Sequence, residues 1–133
     1  MLQYLVMIVL MAHGIGHVTG IMRSWTSIEV GFSDKPWILG GNHTMESTVG
    51  KAWGVLWLVA LFAFLGSGIS VAMGSESWRY TALIGSVFSI LAIVPWWNTV
   101  MTGAKAGVIL DLAIILVLLL PWGEKITDFF EVT

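Results

Sequence analysis

The first apolar stretch of the chain, Leu2–Met22, reads LQYLVMIVLMAHGIGHVTGIM. It is long enough to cross a bilayer, since a membrane helix needs about 20 predominantly apolar residues. Two ionisable side chains, His13 and His17, interrupt it four positions apart, which is about one turn of a helix. Ionisable groups at bilayer depth are costly and usually face protein or a water-filled cavity, so this pair marks a candidate functional site.

The composition of the chain is typical of an integral membrane protein. Of its 133 residues, 57% are hydrophobic and 11% are charged, whereas soluble domains carry about 25% charged residues. At roughly 20 residues per crossing, this length allows four spans and no separate soluble domain. The six Lys and Arg residues are scattered, so no basic stripe indicates a nucleic-acid partner. The absence of cysteine excludes disulfides and thiolate metal sites.

Four apolar runs predict the fold class: all-α, as an integral membrane four-helix up-and-down bundle that forms a single transmembrane domain over residues 1–133. A long interfacial loop joins the first two helices, and we expect it to cover one end of the bundle. Within it, Thr26 and Glu29 have capping-box spacing, which predicts a short interfacial helix. The predicted transmembrane helices cover residues 2–22, 48–73, 78–100 and 104–120.

The two histidines are predicted to meet a carboxylate from the fourth helix. Because the helices alternate in direction, the end of the first and the start of the fourth share one half of the membrane. Gly103, Gly107 and Asp111 are spaced by four and form one stripe, which directs Asp111 into the bundle. We predict that His13, His17 and Asp111 are the catalytic residues and also a metal-ligating set, because an i, i+4 pair places both imidazoles on one face. The alternative is a hydrogen-bonded set that only locks helix packing.

Other side chains at the same end of the bundle are predicted to line the ligand site. Tryptophans at this depth also serve as interfacial belt residues or as packing, and polar loop residues also lie in water at the headgroups. Both interpretations stay open from the sequence. The predicted ligand-lining residues are Trp53, Trp57, Trp97, Asn98, Glu46 and His43.

Several short motifs together resemble a family of small four-helix prokaryotic membrane proteins, and more distantly the DoxX-like proteins. They are His13-Gly14-Ile15-Gly16-His17, Gly54-Val55-Leu56-Trp57, and Trp97-Asn98 followed by Gly107 to Asp111. The resemblance implies a four-helix bundle in a prokaryotic plasma membrane and implies no reaction. In that family the position of Asp111 is often Asn, and an acidic residue often follows the position of Asn98, so the carboxylate of this chain stands at a different place.

The leading functional hypothesis is an intramembrane His/Asp site that binds a metal or a small membrane-soluble ligand. An oxidoreductase or isomerase acting on a quinone or a lipid would fit such a site. The rival hypothesis is a non-catalytic accessory subunit of a larger membrane complex, in which a histidine ligates a haem or another tetrapyrrole. The expected cofactor is therefore a transition metal or a tetrapyrrole, and the expected partners are membrane lipids, a second copy of the chain or a larger complex. The charge distribution favours both termini outside.

Overall fold

The computed structural model describes residues 1–121 and 124–125, and this part of the chain is helical without any strand. Four helical rods in this part of the chain are each long and apolar enough to cross a membrane: Leu2–Trp25, Thr48–Ala72, Ser77–Trp96 and Thr102–Leu119. The expected all-α class with four long helices is therefore observed. The helices are α1 (Leu2–Gly16), α2 (Val18–Trp25), α3 (Thr48–Ala72), α4 (Ser77–Ile93) and α5 (Thr102–Leu119).

Helix α3 lies at the centre of the packing. Helices α1 and α2 pack along one side of it, α4 packs along another, and α5 packs on α4. The predicted helices 48–73 and 104–120 correspond to α3 and α5, with ends that agree within two residues. Two clusters of buried apolar side chains fill the bundle, one around Trp57 and Trp96 near the long loop and one around Phe64 near the opposite end.

The third apolar run ends its helix earlier than the predicted residue 100. Helix α4 stops at Ile93 and is followed by a 3-10 turn, Val94–Trp96. The cause is Pro95, which has no N–H group to donate to the carbonyl of Leu91, four residues before it. The indole Nε1 of Trp53 on α3 donates to that carbonyl at 2.9 Å and replaces the missing helical bond.

The short interfacial helix predicted from Thr26 and Glu29 is not present, because no helix occurs between residues 26 and 47. Thr26 ends α2 instead of starting a new helix. Its hydroxyl donates to the carbonyl of Met22 at 2.7 Å and accepts from the N–H of Ile28 at 3.2 Å. The capping-box spacing therefore marks a helix C-terminus in this chain.

The long loop is bound to the connection between α4 and α5. The N–H of Ser33 donates to the carbonyl of Thr99 at 2.9 Å, and the N–H of Ile38 donates to the carbonyl of Pro95 at 2.8 Å. In the opposite direction, the side-chain amide of Asn98 donates to the carbonyl of Pro36 at 2.8 Å. These bonds hold the loop across one end of the bundle, as expected.

A buried arginine ties the same loop to α2. The guanidinium of Arg23 donates to the carboxylate of Asp34, inside the loop, and to that of Glu46, close to the start of α3. Arg23 is mostly buried whereas both carboxylates are exposed. A planar guanidinium with several fixed donors suits this double contact. Arg23 therefore anchors the long loop to α2.

Candidate functional site

The site begins at a break between α1 and α2. The N–H of His17 donates to the carbonyl of Gly14 at 3.0 Å rather than to that of His13, four residues back. This leaves the carbonyl of His13 without its usual helical donor. The ring Nδ1 of His17 lies 3.0 Å from that oxygen and donates to it. The His17 ring thus supplies the hydrogen bond that the carbonyl of His13 lacks, and this bond fixes the orientation of the ring.

Four side chains from three helices form one hydrogen-bonded chain. His13 Nε2 lies 2.8 Å from Asp111 Oδ1, and Ser89 Oγ lies 2.5 Å from Asp111 Oδ2. The same Ser89 oxygen lies 2.8 Å from His17 Nε2. Ser89 therefore links the carboxylate of α5 to the second histidine at the break in the first rod.

This hydrogen-bonded chain is closed to solvent apart from one edge. Asp111 and Ser89 are 0% exposed and His17 is 2% exposed, while the side chain of His13 is 11% exposed. Phe64 of α3 packs against both imidazoles, with ring centroids 4.6 Å from His13 and 5.7 Å from His17. An apolar wall of this kind strengthens every hydrogen bond inside it and makes an unpaired group costly.

The donor and acceptor roles restrict where protons lie. A carbonyl oxygen only accepts, so Nδ1 of His17 carries a hydrogen. When Nε2 of His17 is protonated as well, it donates to Ser89, and Ser89 donates to an ionised Asp111. When Nε2 is bare, Ser89 donates to it, and a protonated Asp111 donates to Ser89. The two arrangements have the same zero net charge and differ by a shift of two protons through Ser89, which is the geometry of a proton relay.

One ring nitrogen of His13 is left for another partner. With Nε2 directed at Asp111, the remaining Nδ1 lies beside Gly107 of α5, since a Cβ built on that glycine would be 3.7 Å from it. Within the described residues no hydrogen bond uses this nitrogen. A histidine held by a buried carboxylate on one side and open on the other has the arrangement of a general base.

A cleft of about 310 Å³ separates α1 from α5 at this open edge of His13. Small residues border it, and Gly16 and Gly103 have no side chain with which to fill it. A Cβ on Gly16 would meet no atom within 4 Å. Its wall includes His13, Gly16, His17, Trp57, Gly103 and Gly107. The volume is at the lower end of the range for small-molecule sites, about 300–1,000 Å³.

The structure brings His13, His17 and Asp111 together and places Trp57 in the cleft wall. Among the described residues, the other predicted ligand-lining side chains lie outside the cleft. Each has a different neighbour: Trp53 bonds to Leu91, Trp97 lies under the Lys105 ammonium, Asn98 bonds to Pro36, Glu46 pairs with Arg23, and His43 packs on Trp37.

The predicted metal set does not have the geometry of a metal centre. In the described part of the chain, no group of three or more His, Asp or Glu side chains is arranged to hold an ion. His13 and Asp111 direct their facing atoms at each other, and both nitrogens of His17 are engaged. The small cleft also suits a single ring better than a tetrapyrrole.

Ser89 is the member of this hydrogen-bonded chain that the sequence analysis did not predict. It lies on a stripe of small residues along α4, and a hydroxyl on such a stripe was the available signal for a buried bridge between helices. Isolated serines are common in helices, so only the small residues around Ser89 distinguish it as a candidate. The buried members of that stripe are Ala82, Gly85, Ser86, Ser89 and Ala92.

Comparison of the chain with protein-family models, with curated proteins and with solved structures finds no match. The function of the chain is therefore inferred from the geometry of the site and from the apolar helices around it.

Proposed function

We propose that the chain is an integral membrane protein that binds the head group of a membrane-soluble quinone or quinol between α1 and α5. His13 is the group that exchanges a proton with the ligand. The observation that carries this proposal is the position of His13, with one ring nitrogen on the buried Asp111 and the other at the edge of the cleft.

The surroundings of the cleft support access from the lipid. The long loop covers the nearby end of the bundle through its bonds to Thr99 and Pro95. The border between α1 and α5 is formed by small residues, and Ala12, Gly16 and Gly103 are exposed there. A ring-shaped head group with an apolar tail can enter between these helices and leave its tail in the bilayer.

Each residue of the hydrogen-bonded chain has a role in this proposal. His13 accepts a proton from a ligand hydroxyl through Nδ1 and returns it to a ligand oxygen in the reverse direction. In the arrangement in which it is ionised, Asp111 stabilises the imidazolium that forms, since an opposite charge at hydrogen-bond distance favours the charged ring. Ser89, which is itself bonded to His17, holds the second carboxylate oxygen, so that the carboxylate does not rotate away from His13.

The charges at the ends of the helices support an orientation with the long loop in the cytoplasm and both termini outside, by the positive-inside rule. More cations lie at the end that carries the loop than at the opposite end. They are Arg23, Lys35, Lys51 and Lys105 on the loop side, against Arg79 and Lys125.

A binding titration tests the proposed function. Decylubiquinone is added to the purified protein in lipid nanodiscs, and binding is followed for the wild type, His13→Leu and His43→Leu. We expect saturable binding that His13→Leu weakens at least tenfold. His43→Leu is the matched control, because that histidine packs on Trp37 outside the cleft.

The same titration with 1-oleoylglycerol separates a quinone site from a lipid site. Binding of the glycerolipid but not of the quinone would show that the site takes a lipid head group and not a quinone. Equal binding of decylubiquinone to the wild type and to His13→Leu would contradict the proposed function.

A further inference from the structure

Within the long loop, residues 37–41 form a turn that is held by its own hydrogen bonds (the 37–41 turn). The N–H of Trp37 donates to the carbonyl of His43 at 3.0 Å, and the indole Nε1 of Trp37 donates to the carbonyl of Gly40. Gly40 and Gly41 have φ angles of +105° and +77°, a backbone conformation that glycine adopts without strain. The 37–41 turn therefore has one defined shape and presents its tip in a fixed position.

The tip of the 37–41 turn is apolar, which is unusual for a turn that faces water. Turns mostly carry Gly, Pro, Asn, Asp and Ser, whereas Ile38 and Leu39 occupy this tip with 52% and 61% of their surface exposed. Between Lys35 and Glu46 the sequence has no Asp, Glu, Lys or Arg residue. The segment therefore has no carboxylate, ammonium or guanidinium group whose desolvation would oppose its entry into an apolar phase.

The 37–41 turn packs on two of the apolar rods. The N–H of Ile38 donates to the carbonyl of Pro95 at 2.8 Å, and Pro95 belongs to the rod Ser77–Trp96, which is long and apolar enough to cross a membrane. The ring of Trp37 lies 5.5 Å from that of Trp53 between centroids. Trp53 is about 7 Å along the axis from the start of α3 at Thr48. The exposed tip is therefore attached to parts of the rods that are themselves apolar, and not to a polar extension beyond them.

The small area of the tip decides between two partners. A stable interface between two proteins buries about 1,200 Å² or more in total, which is far more than two side chains supply, so a second copy of the chain is not favoured. Interfacial segments of membrane proteins instead bury their apolar side chains about 5–10 Å into the boundary between head groups and acyl chains. We propose that the 37–41 turn inserts Ile38 and Leu39 into this boundary on the side of the membrane that the long loop covers. This inference rests on the membrane location in the proposed function and not on the quinone.

Single-cysteine labelling tests the insertion, because the chain has no cysteine of its own. Leu39→Cys is labelled with the fluorophore NBD and placed in phosphatidylcholine nanodiscs that contain lipids with a doxyl quencher near the head group or deep in the acyl chain. Lys35→Cys is the matched control, because Lys35 is an exposed and charged residue of the same loop. The label at position 39 is expected to be quenched at least about twofold more strongly than the label at position 35, and more by the shallow quencher than by the deep one.

Two further labelled variants separate the possible outcomes. Ile38→Cys is expected to behave like Leu39→Cys, and Ile109→Cys, at a position of α5 that is 69% exposed, is expected to be quenched more by the deep quencher. Equal quenching at positions 39 and 35, with strong quenching at position 109, would overturn the insertion and leave the membrane location intact. Absence of quenching at every position would instead refute the membrane location in the proposed function. A signal at position 39 that follows the protein-to-lipid ratio and not the doxyl lipids would identify a second copy as the partner and would also overturn the inference.

Discussion

The Nε2 atom of His13 lies 2.8 Å from Oδ1 of Asp111, although the two residues are 98 positions apart in the chain. This contact joins the first and last helical rods across a border where α1 and α5 otherwise leave a cleft. Asp111 is fully buried, so the contact and the second one to Ser89 satisfy both carboxylate oxygens. A buried carboxylate with either oxygen unpaired would destabilise the fold.

Asp111→Asn is expected to keep the stability of the protein within about 1 kcal/mol of the wild type. The amide oxygen accepts from His13, the amide nitrogen donates to Ser89, and Ser89 donates to a neutral His17, so every hydrogen bond of the network is retained. Asp111→Leu leaves those groups unpaired and is expected to lower the free energy of unfolding by about 3 kcal/mol. Unfolding in mixed detergent micelles measures both. Equal destabilisation by Asn and Leu would contradict the donor and acceptor roles assigned to this network.

Ser89→Ala is expected to destabilise the protein by about 2 kcal/mol, because it leaves an oxygen of Asp111 and Nε2 of His17 buried without their bridge. Ser86→Ala is the control on the same helix. The hydroxyl of Ser86 is buried and has no hydrogen-bond partner in the described residues, so its removal is expected to change stability by less than about 0.5 kcal/mol or to increase it. If both variants unfold alike, Ser89 does not bridge the two groups.

A double-mutant cycle tests whether Trp53 compensates for Pro95. Trp53→Phe leaves the carbonyl of Leu91 without a donor and is expected to cost about 1 kcal/mol. Pro95→Ala supplies the missing N–H, so Trp53→Phe is expected to cost much less in that background. A coupling energy near zero between the two substitutions would mean that the Trp53 bond does not replace the helical one.

Gly20 and Gly16 lie one turn apart at the same helix break but differ in their surroundings. Gly20→Ala places a methyl group in the indole of Trp57 and is expected to destabilise the protein by about 3 kcal/mol. Gly16→Ala meets no atom within 4 Å, and it is expected to leave stability unchanged or to raise it by about 0.5 kcal/mol. Thermal unfolding of the two variants tests this, and similar losses in both would contradict the packing around Trp57.

Arg23→Met is expected to loosen the long loop while the helices stay folded. The two carboxylates that Arg23 binds are exposed, so the loss in global stability is expected to be only about 1 kcal/mol. Hydrogen exchange is the more direct measurement. The amides of Ser33 and Ile38 bond to the connection between α4 and α5 and are expected to exchange faster. Lys35→Met, which removes a cation from the same loop, is the control, and unchanged exchange in Arg23→Met would show that the arginine does not hold the loop.

Some features of the site follow from residue type and spacing. His13 and His17 share a helical face because they are four positions apart, and Asp111 is directed inward because it continues a stripe of small residues. The contact between these residues was therefore predictable from a bundle whose helices alternate in direction. The positions of the glycines do not by themselves predict which of them are closely packed. Gly20 and Gly107 are closely approached, whereas Gly16 and Gly103 border an open cleft.

The amino-acid sequence by itself determined the helical class, the number of long apolar helices and the three ionisable residues that meet, because hydropathy and a period near 3.6 are local properties. Only the tertiary structure decided that Ser89 joins Asp111 to His17, that Trp53 supplies the hydrogen bond missing at Pro95, and that Trp57 packs against Gly20 beside the helix break. Those relations depend on the rotation and depth of one helix against another. Such quantities are set by the packing of side chains from distant parts of the chain, which no local pattern specifies.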